Sequence, residues 1–181
     1  MNPQPSDPWR EPGPDPGVLN AAQRGELVAL FSMLRAHRLE LWRVCLALTL
    51  DHRRAERLFH ETLVRAAKNL RTLPPGSPIL HWLTRLATHL AVAWTRQEGP
   101  RRPGEPTGDW PGGGAESPLA GDPRLLAALA DVSVPDRLLL ALAVVERLGY
   151  GDVARVTKIE TLEVVRRLTR LRARLAGEAA A

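Results

Sequence analysis

A glycine- and proline-rich stretch divides this 181-residue chain into two parts, each of which follows a helical period. The stretch reads EGPRRPGEPTGDWPGGGAESPLAGDP and begins at Glu98. Glycine and proline recur in it too often for a helix or a strand to continue, so residues 98–122 are predicted to be a flexible linker. Alanine, leucine and arginine dominate the flanking parts, which favours helices. We therefore expect an all-α protein made of two small helical domains joined by this linker.

The N-terminal residues 1–20 are also punctuated by proline and glycine, and we expect them to form a disordered tail. They lack the basic and apolar blocks of a signal peptide. No apolar run in the chain approaches the roughly 18 residues that a membrane-spanning helix needs. The sequence therefore predicts a cytoplasmic protein without membrane insertion.

The first domain is predicted over residues 21–97, where apolar residues recur with the period of an α-helix. Helices are expected over residues 23–49, with a break near 36–38, and over residues 54–70. A third helix is expected to follow Pro78, because proline is tolerated in a first helical turn. Its apolar face would carry Trp82 and Trp94, for which packing in the core is the better interpretation.

The second domain is predicted over residues 123–177, with helices over 125–129, 135–148, 150–156 and 161–176. A short turn joins the last two, which is the arrangement of a helix-turn-helix. One face of the last helix is apolar and consists of Val164, Leu168, Leu171 and Leu175. Another face carries a row of arginines, among them Arg166, Arg167 and Arg170. Such a helix can rest on a small core and present its charged side to phosphates.

The charges are distributed unevenly along the chain. The formal net charge is +5, with +7 in residues 21–97 and +3 in residues 123–181, whereas the linker carries −3. Basic helical domains favour a polyanionic partner such as nucleic acid. The single cysteine and the five histidines show no metal-ligand spacing. The sequence therefore predicts no catalytic site, no metal and no cofactor, and the protein is not expected to be an enzyme.

Two stretches in the first domain together resemble the extracytoplasmic-function (ECF) sigma factors of bacterial RNA polymerase. They read DHRRAERLFHETLVRAAKNL and HWLTRLATHLAVAWTRQ. The residues that match the family's pattern are Ala55, Glu56, Leu58, Glu61, Thr62, Trp82, Leu83, Ala87 and Arg96. The chain departs from that pattern at Arg57, His60, His89 and Ala93.

The stretch LGYGDVARVTKIETLEVVRRLTRLR resembles the second DNA-binding module of the same family. The matching residues are Leu148, Tyr150, Ala154, Val164, Arg167, Leu168, Arg170 and Arg172. Lys158 and Leu162 stand where the family has glycine, at or beside the turn of the helix-turn-helix. A residue other than glycine in a left-handed helix cap costs roughly 1 kcal/mol. Thr157 and Glu160 also have the spacing of a capping box for the last helix.

The resemblance implies a sigma factor that binds core RNA polymerase and directs it to promoter DNA. The first domain would contact the minus-ten element and the second the minus-thirty-five element. An anti-sigma protein is a further candidate partner. Candidate polymerase contacts are Glu56, Arg57, His60 and Glu61. Candidate DNA contacts are Arg85, Thr88, His89 and Arg96 in the first domain and Arg166, Arg167 and Arg170 in the second.

Two other functions remain open from the sequence. The departures at Arg57, His89 and Ala93 and in the turn are compatible with a degenerate sigma-like protein, which would bind polymerase or an anti-sigma partner without reading promoters. A helix-turn-helix repressor unrelated to sigma factors is the second alternative. The matching first domain and the absence of a ligand-binding domain count against the repressor.

Overall fold

A computed structural model describes residues 9, 13–73, 76–98 and 129–179 of the protein. The residues within these ranges form helices and no strand, which confirms the all-α fold class. The helices are α1 (Pro16–Gln23), α2 (Leu27–Ala36), α3 (Arg38–Thr49), α4 (His52–Asn69), α5 (Ile79–Glu98), α6 (Val134–Leu140), α7 (Tyr150–Thr157) and α8 (Thr161–Ala179). A 3₁₀ turn, Leu70–Thr72, extends α4. The predicted linker lies outside the described residues except for Glu98, and so does most of the predicted helix over 125–129.

Helix α1 begins inside the stretch that we expected to be disordered. The carboxylate of Asp15 accepts hydrogen bonds from the backbone N–H groups of Gly17 and Val18, which caps the helix. Pro16 follows in the first turn, where its missing N–H costs nothing. The expectation of a disordered tail therefore does not hold for residues 16–20. It also fails for Trp9, whose side chain is only 2% exposed.

The first half of the molecule is built on α3, α4 and α5, which pack on one another. The predicted break between the first two helices lies at His37, where the backbone leaves the helical conformation. Asp51 caps α4 through a 2.8 Å hydrogen bond from the N–H of Arg54. Helix α5 follows Pro78, as its sequence predicted.

The second half consists of α6, α7 and α8. Ser133 caps α6, and its hydroxyl also donates a 2.8 Å hydrogen bond to Asp136. The predicted helix over 135–148 does not continue as one regular helix: it widens into a π-helical turn over Ala141–Val145. Arg147 then takes a left-handed conformation (φ 53°), so the chain turns before α7.

The two halves share one hydrophobic core. Helices α3 and α5 of the first half pack on α6, and α5 also packs on α7. Buried leucines of both halves, such as Leu48, Leu83 and Leu139, belong to the same continuous cluster. The helix-turn-helix is thereby held against the helix that carries the predicted minus-ten contacts.

Candidate nucleic-acid and partner interfaces

Helix α4 presents the four predicted polymerase contacts on its outer side. Glu56, Arg57 and His60 are exposed, while Glu61 is half-buried. These polar residues face outward because the opposite side of the helix, with Ala55, Leu58 and other apolar residues, is buried in the core. Together these side chains form a mixed acidic and basic surface, which we call the α4 face.

Two members of the α4 face also contact neighbouring residues. The guanidinium of Arg57 lies over the ring of Trp94 on α5, 4.7 Å from its centroid. The carboxylate of Glu61 lies 3.7 Å from the guanidinium of Arg65, one turn further along α4. Glu56 is thus the exposed acidic group of this face, and Arg57 joins the face to α5.

The four predicted minus-ten contacts do not form one exposed stripe on α5. His89 and Arg96 are exposed, but Arg85 and Thr88 are half-buried. Thr88 donates a 2.8 Å hydrogen bond to the carbonyl of Thr84 in its own helix. Arg85 donates a 3.2 Å hydrogen bond to the carbonyl of Val156 in α7. The expected stripe is therefore interrupted at Arg85, because the second half covers this residue.

The helix-turn-helix has a strained turn. Helices α7 and α8 are separated by residues 158–160, and Lys158 has the left-handed conformation that favours glycine, with φ 60° and ψ 32°. The structure thus confirms the expectation that a non-glycine residue occupies a left-handed cap. Leu162, in contrast, lies within the first turn of α8, where no unusual conformation requires glycine.

The capping box predicted from Thr157 does not form. Thr157 is the last residue of α7, and its hydroxyl donates a 2.8 Å hydrogen bond to the carbonyl of Val153 within that helix. Helix α8 begins only at Thr161. The left-handed conformation of Lys158 separates the two helices, so Thr157 is too early in the chain to cap α8.

The three predicted duplex contacts on α8 fall into two kinds. Arg166 and Arg170 are exposed. Arg167 is half-buried and forms an ion pair with Asp136 of α6, to which its Nε donates at 2.8 Å and its Nη2 donates as well. Because Asp136 also accepts from Ser133, this pair ties α8 to the first turn of α6. Arg167 therefore holds the helix-turn-helix in place in this structure.

Arg137, which joins the two halves, was not among the residues predicted from the sequence. Its Nη1 donates a 2.6 Å hydrogen bond to the carbonyl of Leu48, and its Nε donates a 3.0 Å bond to the carbonyl of Val132. Burial lowers the pKa of Arg137 and also that of Arg85. Leu48 is distant in sequence from Arg137, so no local pattern marks the contact.

Metal ligands do not cluster within the described ranges: no three histidine, cysteine or acidic residues there lie close enough to hold an ion. The same part of the chain contains no helix that is long and apolar enough to span a membrane. Cys45 is buried, and burial raises the pKa of its thiol, which keeps the sulfur protonated and unreactive.

The chain is similar to solved structures, although no protein-family model and no curated protein matches its sequence. One similar structure is CnrH in complex with the cytosolic domain of CnrY. The TM-score is 0.62 at 17% sequence identity, and the match covers 88% of this chain and 93% of CnrH. Another is the sigma factor RpoE in complex with the anti-sigma factor NepR from Bartonella quintana. Here the TM-score is again 0.62, at 19% identity, over 82% of this chain and 94% of RpoE. The chain therefore has the all-α fold of the sigma factor RpoE.

Proposed function

We propose that this protein is a sigma factor of the ECF type, which directs bacterial RNA polymerase to promoters for the initiation of transcription. The observation that carries the proposal is the fold similarity to RpoE, which extends over nearly the whole of that sigma factor. The motifs around Ala55, Trp82 and Tyr150 support it independently, since they are features of the amino-acid sequence and do not depend on the fold similarity. The protein would act in the cytoplasm, at the nucleoid, and without catalytic chemistry of its own.

The two halves would have different tasks. Residues 21–97 would bind core polymerase through the α4 face and the minus-ten element through exposed groups of α5 such as His89 and Arg96. Residues 123–177 would bind the minus-thirty-five element through α8, with residues 98–122 as the tether between them. Arginine suits these tasks, because its guanidinium neutralises phosphates and stacks on unpaired bases. An anti-sigma protein would be the regulatory partner, as NepR is bound to RpoE.

Run-off transcription with purified core polymerase tests the proposal. Templates would be drawn from the genomic DNA that a complex of this protein with polymerase retains in a pull-down. The protein should produce a discrete transcript that core polymerase alone does not. Polymerase binding without any transcript would instead identify a sigma-like protein that does not read promoters. If neither binding nor transcription is observed, the proposal is wrong.

Arg166→Ala and Arg170→Ala should each weaken the binding of the full chain to duplex promoter DNA. Each phosphate contact that is lost should reduce the slope of log K against log salt concentration by about 0.9. Arg167→Ala is the matched variant on the same helix. It removes the same charge, but we expect it mainly to reduce stability, by about 1–3 kcal/mol, because Oδ1 of Asp136 loses the guanidinium that donates to it. Salt titrations of DNA binding and urea denaturation measure the two effects. An unchanged slope for Arg166→Ala and Arg170→Ala would show that the exposed row does not contact DNA.

A further inference from the structure

The N-terminal tail places a tryptophan between the two halves of the molecule. The indole N–H of Trp9 donates a 3.0 Å hydrogen bond to the carboxylate of Glu146, which follows the π-helical turn of the second half. The carbonyl of Trp9 lies 2.8 Å from Nε2 of His81 on α5, in the first half. The indole also stacks on the His81 ring at a centroid distance of 6.3 Å. One buried residue of the tail thus contacts both halves.

The donor and the acceptor in each polar contact of Trp9 can be assigned. A carbonyl oxygen can only accept, so Nε2 of His81 must carry the proton. Burial holds the pKa of His81 below its ordinary value, which favours the neutral ring. The side chain of Glu146 is 8% exposed and lies 3.9 Å from the guanidinium of Arg43 on α3. A hydrogen bond to a shielded carboxylate is stronger than one between neutral groups, so the indole contributes to holding Glu146 near α3.

A second contact fixes the tail at Gly13. A Cβ built on Gly13 would lie 2.6 Å from the carbonyl carbon of Gly76 and 2.8 Å from the carbonyl oxygen of Ser77. These are backbone atoms of the loop before α5, so they cannot move aside as a flexible side chain could. The tail therefore approaches the first half closely enough that glycine is required at position 13.

The packing of the two halves against each other occupies Arg85, which the proposed function needs for DNA binding. Arg85 of α5, a predicted minus-ten contact, donates to the carbonyl of Val156 at the end of α7. The same guanidinium cannot keep this contact and reach into DNA. A chain whose halves are held together in this way has part of its DNA-binding surface covered by its own helix-turn-helix.

We propose that Trp9 and Gly13 form an intramolecular clasp that adds to the shared core in holding the two halves closed and so keeps Arg85 of the minus-ten surface covered. The inhibitory consequence rests on the proposed function, whereas the closure itself does not. The clasp has two separable parts. Gly13 packs against the loop before α5, and Trp9 joins His81 of α5 to Glu146 of the second half.

Energy transfer between dyes on the two halves tests the closure. Lys68→Cys on α4 and Ala173→Cys on α8 introduce exposed attachment sites in the full chain, and the buried thiol of Cys45 should remain unlabelled. Trp9→Ala and Gly13→Val should each lower the transfer efficiency, because the halves separate more often. Loss of a hydrogen bond to a carboxylate should raise the ratio of open to closed molecules about tenfold or more. Val28→Ala, at a residue that is 85% exposed, is the control and should change nothing.

Trp9→Ala removes a buried side chain, so it could open the molecule merely by weakening the core. Gly13→Val is the second variant, because it removes no buried side chain. The valine variant adds atoms at position 13 and removes no side chain from either half, so far-UV circular dichroism should show unchanged helicity. If neither variant lowers the transfer efficiency, the clasp does not exist. If only Trp9→Ala does, the indole is simply part of the core and the clasp proposal is also wrong.

Binding of promoter DNA with an unpaired minus-ten element by the same variants tests the inhibitory consequence. Opened variants should bind promoter DNA about tenfold more tightly than the parent chain, in proportion to the open fraction. If they open but bind with the affinity of the parent, the clasp does not inhibit DNA binding. If they open and no variant binds promoter DNA even with polymerase, the proposed function fails while the clasp remains as a structural device.

Discussion

Leu168→Ala should lower the free energy of unfolding by about 2–5 kcal/mol, a large part of the stability of a typical protein. Leu168 is 1% exposed and lies on the apolar face of α8, one turn after the buried Val164. Alanine would leave a cavity there, because close-packed neighbours relax only partly. Urea denaturation followed by circular dichroism measures the loss.

Leu162→Ala is the matched control, since it removes the same atoms from the same helix. Leu162 is 53% exposed, so the change should stay within about 0.5 kcal/mol. Because one core connects both halves, Leu168→Ala should shift the unfolding of the whole chain and not only that of the helix-turn-helix. Equal effects of the two substitutions would mean that α8 does not pack on the core as the structure has it.

The apolar period was sufficient to predict α8 and its buried face. Val164, Leu168 and Leu171 are buried and Leu175 is half-buried, as their spacing required. The break at His37 and the beginning of α5 after Pro78 were predictable for similar reasons, because these signals are local. Where local pattern and tertiary packing agree, the sequence alone is a sound guide.

Helix α1 was missed although a local signal was present. The tail contains so much proline and glycine that disorder was the natural interpretation. Yet Asp15 followed by Pro16 is the combination of cap and first-turn residue that begins many helices. A short helix is stabilised mainly by packing against its neighbours. Helix α1 packs on α2. Its packing could not be inferred from the tail itself.

The helical period predicts which side chains of the candidate site point away from the core, and nothing more about the site. Periodicity placed Arg166 and Arg170 outside the core, but it placed Arg167 and Arg85 there as well. Their partners, Asp136 and the carbonyl of Val156, come from other helices and are distant in sequence. An arginine that reaches a partner across a tertiary contact has the same local pattern as a solvated one. Residues that join the halves therefore cannot be distinguished without the fold.

The α4 face combines acidic and basic groups whose positions suggest a partner other than DNA. Glu56 is exposed and would repel phosphates. Arg57, beside it, contacts the ring of Trp94, so its guanidinium is held close to the helix. A protein surface with arginine or lysine opposite Glu56 and Glu61 would fit this face better than a polyanion does. In the proposed function that surface belongs to core polymerase.

Glu56→Arg combined with Glu61→Arg should lower the affinity for core polymerase by about 100-fold or more, because like charges placed across an interface cost several kcal/mol. The fold should survive, since Glu56 is exposed and the pair between Glu61 and Arg65 is worth only a few tenths of a kcal/mol. Binding is measured by titrating labelled protein with core polymerase, and the melting temperature is recorded for each variant. Glu26→Arg combined with Asp131→Arg changes the net charge by the same amount at exposed sites on other elements, so it should bind polymerase like the parent. If both double variants lose affinity equally, the overall charge of the chain governs binding, and the α4 face has no special part in it.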